Sequence, residues 1–148
     1  MRFKTMLGVA ALMVLTVVAQ AADAEWYTSY AEAAKVAKKT GKPILADFTG
    51  SDWCGWCKRL KAEVFSKQAF KDWAAKNVIL LELDFPQQKA QTASLMKQNA
   101  DLARKYGVQG YPTILFLKAD GTKLGESGYL PGGAPAWTKD AAAKIKRK

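Results

Sequence analysis

The pattern of apolar and polar residues predicts an alternation of helices and strands from residue 29 onward. Residues 29–42, 57–65, 66–77 and 136–148 show helical character, and residues 91–107 form either one long or two short helices. Apolar runs without helical spacing predict buried strands over 43–49, 78–85 and 112–118. A turn at 119–122 then returns the chain as a strand over 123–129, followed by a loop over 130–135.

Residues with known end preferences mark several helix boundaries. Ser29 and Glu32 have the spacing of a capping box, and Gly41 stands where a helix would end. Ser66 is the expected N-cap of the helix over 66–77, and Gly107 is the expected end of the helical stretch over 91–107.

The order α-β-α-α-β-α-β-β-α predicts an α/β fold in one domain. Strand–helix–strand units favour a partly parallel central sheet with helices on both faces. The last two strands add an antiparallel edge as a hairpin.

The N-terminus has the layout of a secretory signal peptide. Arg2 and Lys4 precede an apolar stretch over 6–19, and Ala19-Gln20-Ala21 matches an A-x-A cleavage pattern. The alternative is a retained membrane anchor, for which the apolar run is short against the roughly 20 residues of a span.

We therefore expect residues 1–21 to be removed, with cleavage near Ala21 or alternatively near Ala24, and residues 22–148 to form the exported domain. In a bacterium this places the protein in the periplasm or outside the cell.

Composition narrows the possible functions. The formal charge is +10, and without Arg2 and Lys4 the 21 remaining basic residues against 13 acidic ones leave about +8. The lysines are spread over predicted helix faces, so we expect no nucleic-acid partner. The chain has no histidine, which excludes His-based metal sites and Ser-His or Cys-His catalysis.

The two cysteines of the chain, Cys54 and Cys57, lie between a predicted strand and a predicted helix. A structural disulfide this short would remove little entropy from the unfolded chain. A zinc site would need two further ligands from a chain with no other cysteine and no histidine. A redox pair at a helix N-terminus, where N–H groups favour the thiolate, fits best.

The two thiols are expected to have different roles. Cys54, in the first turn and more exposed, would attack a substrate disulfide, and the shielded Cys57 would resolve the mixed disulfide. Asp47 interrupts an apolar strand and is the candidate acceptor for the Cys57 proton. The alternative is an ordinary aspartate facing water at the strand end.

The segments "ILADFTGSDWCGWCK" and "YGVQGYPTILFLKADG" together resemble thioredoxin. More narrowly, "GKPILADFTGSDWCGWCKRLKAEVFS" resembles the periplasmic thioredoxin-like domain of bacterial transmembrane disulfide reductases and small exported proteins akin to it. The resemblance implies the thioredoxin fold, with Cys54 as nucleophile, Cys57 as resolving thiol and Asp47 as buried acid. It also implies a cis bond before Pro112, with Pro112 and the Tyr111 backbone lining a site for an extended peptide.

The sequence departs from thioredoxin in three places. Gly-Trp replaces Gly-Pro between the cysteines, and "TGSDW" contains one extra residue. The lysine that thioredoxin carries near its buried acid is replaced by an apolar residue in "VILLEL".

Large aromatic side chains surround the cysteines. Trp53 has a family counterpart beside the active site, and Tyr111 and Tyr129 are candidates to extend the same surface. Trp56 either forms part of a docking surface for substrates or folds back over Cys57.

These features predict an exported thiol–disulfide oxidoreductase that needs no cofactor beyond its redox-active disulfide. A reducing or exchanging role is favoured over strong oxidation, because strong oxidants of this fold commonly carry a histidine between the cysteines. We expect a monomer that acts on protein disulfides and thiols and takes electrons from a membrane-bound thiol donor. The alternative is a non-catalytic binding or chaperone module with a permanent Cys54–Cys57 bridge.

Overall fold

The computed structural model describes residues 24–146. The predicted signal peptide and the last two residues lie outside this range, so the cleavage site remains a prediction. Within residues 24–146, no helix combines the length and the apolar character needed to cross a membrane.

The described chain alternates strands and helices in the predicted order, with one additional short strand at the start. The strands are β1 (Trp26–Tyr27), β2 (Ile44–Thr49), β3 (Ile79–Asp84), β4 (Thr113–Leu117) and β5 (Lys123–Ser127). The helices are α1 (Tyr30–Thr40), α2 (Gly55–Leu60), α3 (Gln68–Asn77), α4 (Ala93–Tyr106) and α5 (Gly133–Ile145), and a π-helical segment (Lys61–Phe65) continues α2.

The five strands form one mixed sheet in the order β1-β3-β2-β4-β5. Strand β3 runs parallel to both β1 and β2, whereas β4 runs antiparallel to β2 and to β5. The predicted α/β class and the mixed sheet are confirmed.

Each face of the sheet carries its own hydrophobic cluster. Leu45, Leu80 and Phe116 pack with side chains of α2, the π-helical segment, α3 and α5. The alternating positions of the same strands, such as Ile44 and Leu81, pack with α1 and α4. Helices therefore cover both faces, as expected from period-two alternation in buried strands.

The ends of α1 and α4 follow the predicted signals. The Ser29 hydroxyl accepts the Glu32 N–H at 3.3 Å. Gly41 and Gly107 adopt left-handed conformations with φ of 72° and 66°, which glycine reaches without steric cost. The stretch over 91–107 is a single helix, capped by the Thr92 hydroxyl.

Ser66 is not the N-cap of α3, so that prediction is wrong. Its backbone N–H donates to the Lys61 carbonyl at 2.9 Å and its hydroxyl donates to the Ala62 carbonyl at 3.0 Å, so Ser66 closes the π-helical segment instead. The extended residue before α3 is Lys67.

Helix α5 starts three residues before the predicted position, inside the expected loop. Pro135 lies in its first turn, where the missing N–H of proline has no intrahelical partner to lose.

Candidate active site

Cys54 and Cys57 form a disulfide at the start of α2, with their Cα atoms 5.3 Å apart. Cys54 is the N-cap rather than a residue of the first turn, and its Sγ accepts the Cys57 backbone N–H at 3.2 Å. Cys54 is 6% exposed and Cys57 5%. The expected greater exposure of Cys54 is therefore absent in this disulfide state. The two cysteines differ instead in the groups that surround them.

The loop before Cys54 is shaped by close packing of Trp53. A Cβ atom on Gly50 would lie 2.4 Å from the Trp53 ring, so only glycine allows this approach. The Trp53 indole N–H donates to the Phe85 carbonyl at 2.7 Å. Trp53 thus joins the cysteine loop to the segment that follows β3.

Two carboxylates hold the "TGSDW" loop that contains the extra residue. Asp84 accepts both the backbone N–H and the hydroxyl of Ser51. Asp52 accepts backbone N–H groups across the gap between loops, from Gln87, Gln88 and Lys89. These N–H groups, first that of Gln87, lower the pKa of Asp52. The loop is therefore anchored by its own carboxylate, Asp52, and by Asp84 at the end of β3.

Asp47 is buried in β2 and does not face water at a strand end. It is 6% exposed, and its Oδ1 has no hydrogen-bond partner within residues 24–146. Burial, followed by the nearby Glu82 and Asp84, raises the pKa of Asp47 well above its ordinary value, and Lys61 opposes the shift. The raised pKa means that this carboxyl group takes up a proton more readily than an exposed aspartate does.

The residue opposite Asp47 on β3 is acidic rather than apolar. The parallel register pairs Asp47 with Glu82, and the basic group near them is Lys61 of the π-helical segment. The resemblance to thioredoxin points to the replaced lysine and identifies neither Glu82 nor Lys61. The sequence carried a signal for Glu82, because Glu82 and Asp84 are the polar positions of a period-two alternation in an apolar strand.

A cavity of about 450 Å³ connects these groups beneath the disulfide. Asp47, Cys57 and Glu82 are among its lining residues, whereas Cys54 is not. The remaining lining groups include the side chains of Lys58, Lys61 and Lys71. Cys57 therefore borders the carboxylates, which gives the two cysteines different chemical surroundings.

A second group of side chains lies beside the cysteines at the start of β4. The peptide bond between Tyr111 and Pro112 is cis. The Tyr111 ring contacts Trp53 edge-on at 5.8 Å between centroids and Phe85 at 5.1 Å. Trp53, Tyr111 and Pro112 are thus brought together, and Phe85 is a member that sequence reasoning missed.

Trp56 belongs to a separate cluster on the other side of the helix start. Its ring packs on Tyr129 at 5.0 Å while 55% of the residue stays exposed. Arg59 lies over both rings, at 5.5 Å and 5.2 Å, and binds Glu63 at 2.7 Å. The Tyr129 hydroxyl donates to Glu63, also at 2.7 Å. We call these four residues the Trp56 cluster.

Comparison with known proteins agrees with this geometry. Residues 30–141 match the model of the family described as "Thioredoxin-like domain". The chain is 36% identical over 126 residues to a protein of Chlamydia pneumoniae named "Disulfide bond reductase DsbH", covering 85% of this chain and 75% of that protein.

A solved structure titled "DsbH Oxidoreductase" superposes with a TM-score of 0.81 at 33% identity, covering 95% of this chain and 96% of that chain. The chain is also 34% identical over 91 residues to the "Thiol:disulfide interchange protein DsbD" of Yersinia pestis (strain Pestoides F). That match covers 62% of this chain but 14% of DsbD.

Proposed function

The chain belongs to the thioredoxin-like domain family and is a thiol–disulfide oxidoreductase, and from that premise we propose that it is exported and reduces or exchanges disulfides in proteins. Under this proposal residues 22–148 form the mature protein, in the periplasm or outside the cell.

The reaction proceeds through two thiol exchanges. The Cys54 thiolate attacks a substrate disulfide, forming a mixed disulfide and releasing one substrate thiolate. Cys57 then loses its proton and attacks the Cys54 sulfur, which releases the second substrate thiolate. The substrate disulfide is reduced by two electrons, and the two cysteines are oxidised to the disulfide seen in the structure.

The surroundings of the two cysteines support Cys54 as the attacking thiol and Cys57 as the resolving thiol. The Cys57 N–H that points at the Cys54 sulfur favours negative charge there. Cys57 borders the cavity that holds Asp47. We assign Asp47 as the base that takes the Cys57 proton, since its raised pKa makes it a stronger base than an ordinary aspartate.

The observation that carries the proposal is the unpartnered Oδ1 of Asp47. A buried polar atom without a partner costs free energy. A binding module with a permanent bridge has no use for such an atom beneath its disulfide, whereas a resolving thiol needs an acceptor there.

Substrate proteins would dock on the aromatic surfaces that flank the cysteines. We propose that Trp53, Tyr111 and Pro112 line one side of an extended peptide and that Trp56 contacts it on the other. Exposure of 38% for Trp53 and 55% for Trp56 leaves both rings accessible.

The direction is proposed to be reduction. The relative from Chlamydia pneumoniae carries the name of a disulfide bond reductase, which supports this direction. A reductase in an oxidising compartment needs a continuous electron supply, for which we propose a membrane-bound thiol protein.

Insulin reduction with dithiothreitol tests the activity. The wild-type protein should accelerate reduction well above a double Cys54→Ala, Cys57→Ala variant. Equal rates for the two proteins would favour the binding module.

Trapping tests the assignment of the cysteines. Cys57→Ser should accumulate substrate adducts on Cys54 that disappear with reductant, because attack remains possible and resolution does not. Cys54→Ser is the matched control and should trap none. Adducts on Cys57 in the Cys54→Ser control would reverse the assignment. A Cys57→Ser variant that forms no adducts on Cys54 would contradict it.

A further inference from the structure

The carboxyl ends of β2 and β3 carry a group of polar side chains on one face of the sheet. Asp47 and Thr49 of β2 share this face with their register partners Glu82 and Asp84 of β3. Asp84 binds the Ser51 backbone and hydroxyl and lies 3.4 Å from the Lys89 ammonium. The Glu82 side chain makes no hydrogen bond or ion pair to other residues in the 24–146 range, so no such contact gives its carboxylate a structural role.

Glu82 lies on β3, between β2, which carries Asp47, and the short edge strand β1. The pairing of β1 with β3 ends at Tyr27–Leu81, one residue before Glu82. Glu82 is half-buried while Asp47 is buried, and both line the same cavity as Cys57. A proton that reaches Asp47 therefore has a second carboxylate beside it, nearer to solvent.

We propose that Glu82 is a positioning residue for the resolving step, whose carboxylate shares with Asp47 the proton taken from Cys57 and passes it through the cavity to solvent. This inference rests on the proposed function. It adds a role to a residue that the family motif does not include.

In the resolving step two bonds break and two bonds form. The S–H bond of Cys57 breaks and its proton goes to the Asp47–Glu82 pair. The Cys57 sulfur bonds to the Cys54 sulfur, and the electron pair of the Cys54–substrate bond leaves with the substrate sulfur. The pair then releases the proton to water, which restores the acceptor for the next turnover.

Charges around the pair set the pH at which it works. Two neighbouring carboxyl groups in a poorly solvated site resist simultaneous ionisation, so they titrate as a unit. Burial and then Asp84 raise the pKa of Glu82, while Lys61 and Lys89 lower it. The other cations that face the cavity are Lys58 of α2 and Lys71 of α3.

The test follows resolution of a mixed disulfide with a chromophoric thiol. Reduced protein mixed with 5,5′-dithiobis(2-nitrobenzoate) releases one thiol on attack by Cys54 and a second when Cys57 resolves the adduct. In wild type the rate of the second release should rise with pH as the carboxyl pair loses its proton. Glu82→Gln should move this midpoint downward by roughly one pH unit, the usual size of one neighbouring charge.

Companion variants separate this role from a structural one. Glu82→Asp keeps the carboxylate and should return the midpoint toward the wild-type value. Glu126→Gln makes the same change at an exposed position of β5 and should leave the pH midpoint of the second release unchanged. In an Asp47→Asn background, Glu82→Gln should add no further effect, because Glu82 acts through Asp47.

An unchanged midpoint in Glu82→Gln, or an equal shift with and without Asp47, would overturn the inference. A wild-type protein that never releases the second thiol would instead overturn the proposed function. The two failures are therefore distinguishable in one experiment.

Discussion

The two faces of the central sheet are built from the same strands and differ in chemistry. Toward α1 and α4, every β2 and β3 side chain is apolar and buried: Ile44, Ala46, Phe48, Ile79, Leu81 and Leu83. On the face toward α2, the first residues of the two strands, Leu45 and Leu80, are also apolar and buried. The later positions on that face are polar: Asp47, Thr49, Glu82 and Asp84.

The difference shows how one strand serves stability and chemistry together. Because successive side chains point to opposite faces, β2 can bury Phe48 on one side and place Asp47 beneath Cys57 on the other. The apolar face stabilises the fold, which lets the opposite face retain the Asp47 carboxyl group, whose Oδ1 has no hydrogen-bond partner in the described part of the chain. We expect substitutions on the two faces to have opposite effects on stability.

The largest effect is expected on the apolar face. Phe48→Ala removes a fully buried ring and should lower the free energy of unfolding by about 3–5 kcal/mol, through lost burial and the cavity left behind. A guanidinium melt measures the change. A decrease of less than about 1 kcal/mol in the free energy of unfolding would show that the apolar face repacks around the missing ring. The expected contrast in stability between the two faces would then be absent.

The opposite sign is expected at the neighbouring residue on the other face. Asp47→Asn keeps the shape and removes a buried ionisable group, so it should stabilise the protein at neutral pH by about 1–3 kcal/mol. A melt under the same conditions as for Phe48→Ala gives the comparison directly.

The pH dependence sharpens this result. Because the folded-state pKa of Asp47 is raised, the folded protein retains a proton that the unfolded chain has lost above its ordinary pKa of 3.8. Wild-type stability should therefore fall as pH rises from about 4 toward the raised pKa. The gain from Asp47→Asn should grow over that window, and a gain that does not change with pH would contradict the assigned shift.

The smallest effect is expected at the Trp56 cluster, outside both cores. Trp56→Ala should lower kcat/KM for a protein disulfide severalfold, equivalent to about 1 kcal/mol, and change the rate with a small aromatic disulfide less. Met96 is similarly exposed, at 52%, on α4, so Met96→Ala is the matched control. Equal losses with both substrates would assign Trp56 a structural role.

Local patterns predicted the features that depend on local interactions. The cap at Ser29, the left-handed Gly41 and the buried strands follow from a few neighbouring residues, and the structure has them. Strand β1 has two residues, too few to show a period. The π-helical segment depends on how the chain after α2 packs, which no spacing rule describes.

Pairings between distant segments were not predictable in the same way. The position of Asp47 opposite Glu82 depends on the register of two strands more than 30 residues apart. Likewise, Asp52 binds N–H groups of a loop more than 30 residues away. The cysteine pair and Asp47 were identifiable locally, because the pair lies between a strand and a helix and Asp47 interrupts an apolar run, and the family resemblance agrees with both. The roles of Glu82, Lys61, Arg59 and Glu63 depend on contacts in the folded chain and were not predicted.

The most direct test of the account is the rate at which Asp47→Asn resolves a mixed disulfide. Stopped-flow release of the second thiol at neutral pH should slow on the order of 10²-fold, the usual contribution of a general base, while the first release by Cys54 changes little. An unchanged second phase would contradict the claim that the carboxylate face of the sheet takes the Cys57 proton.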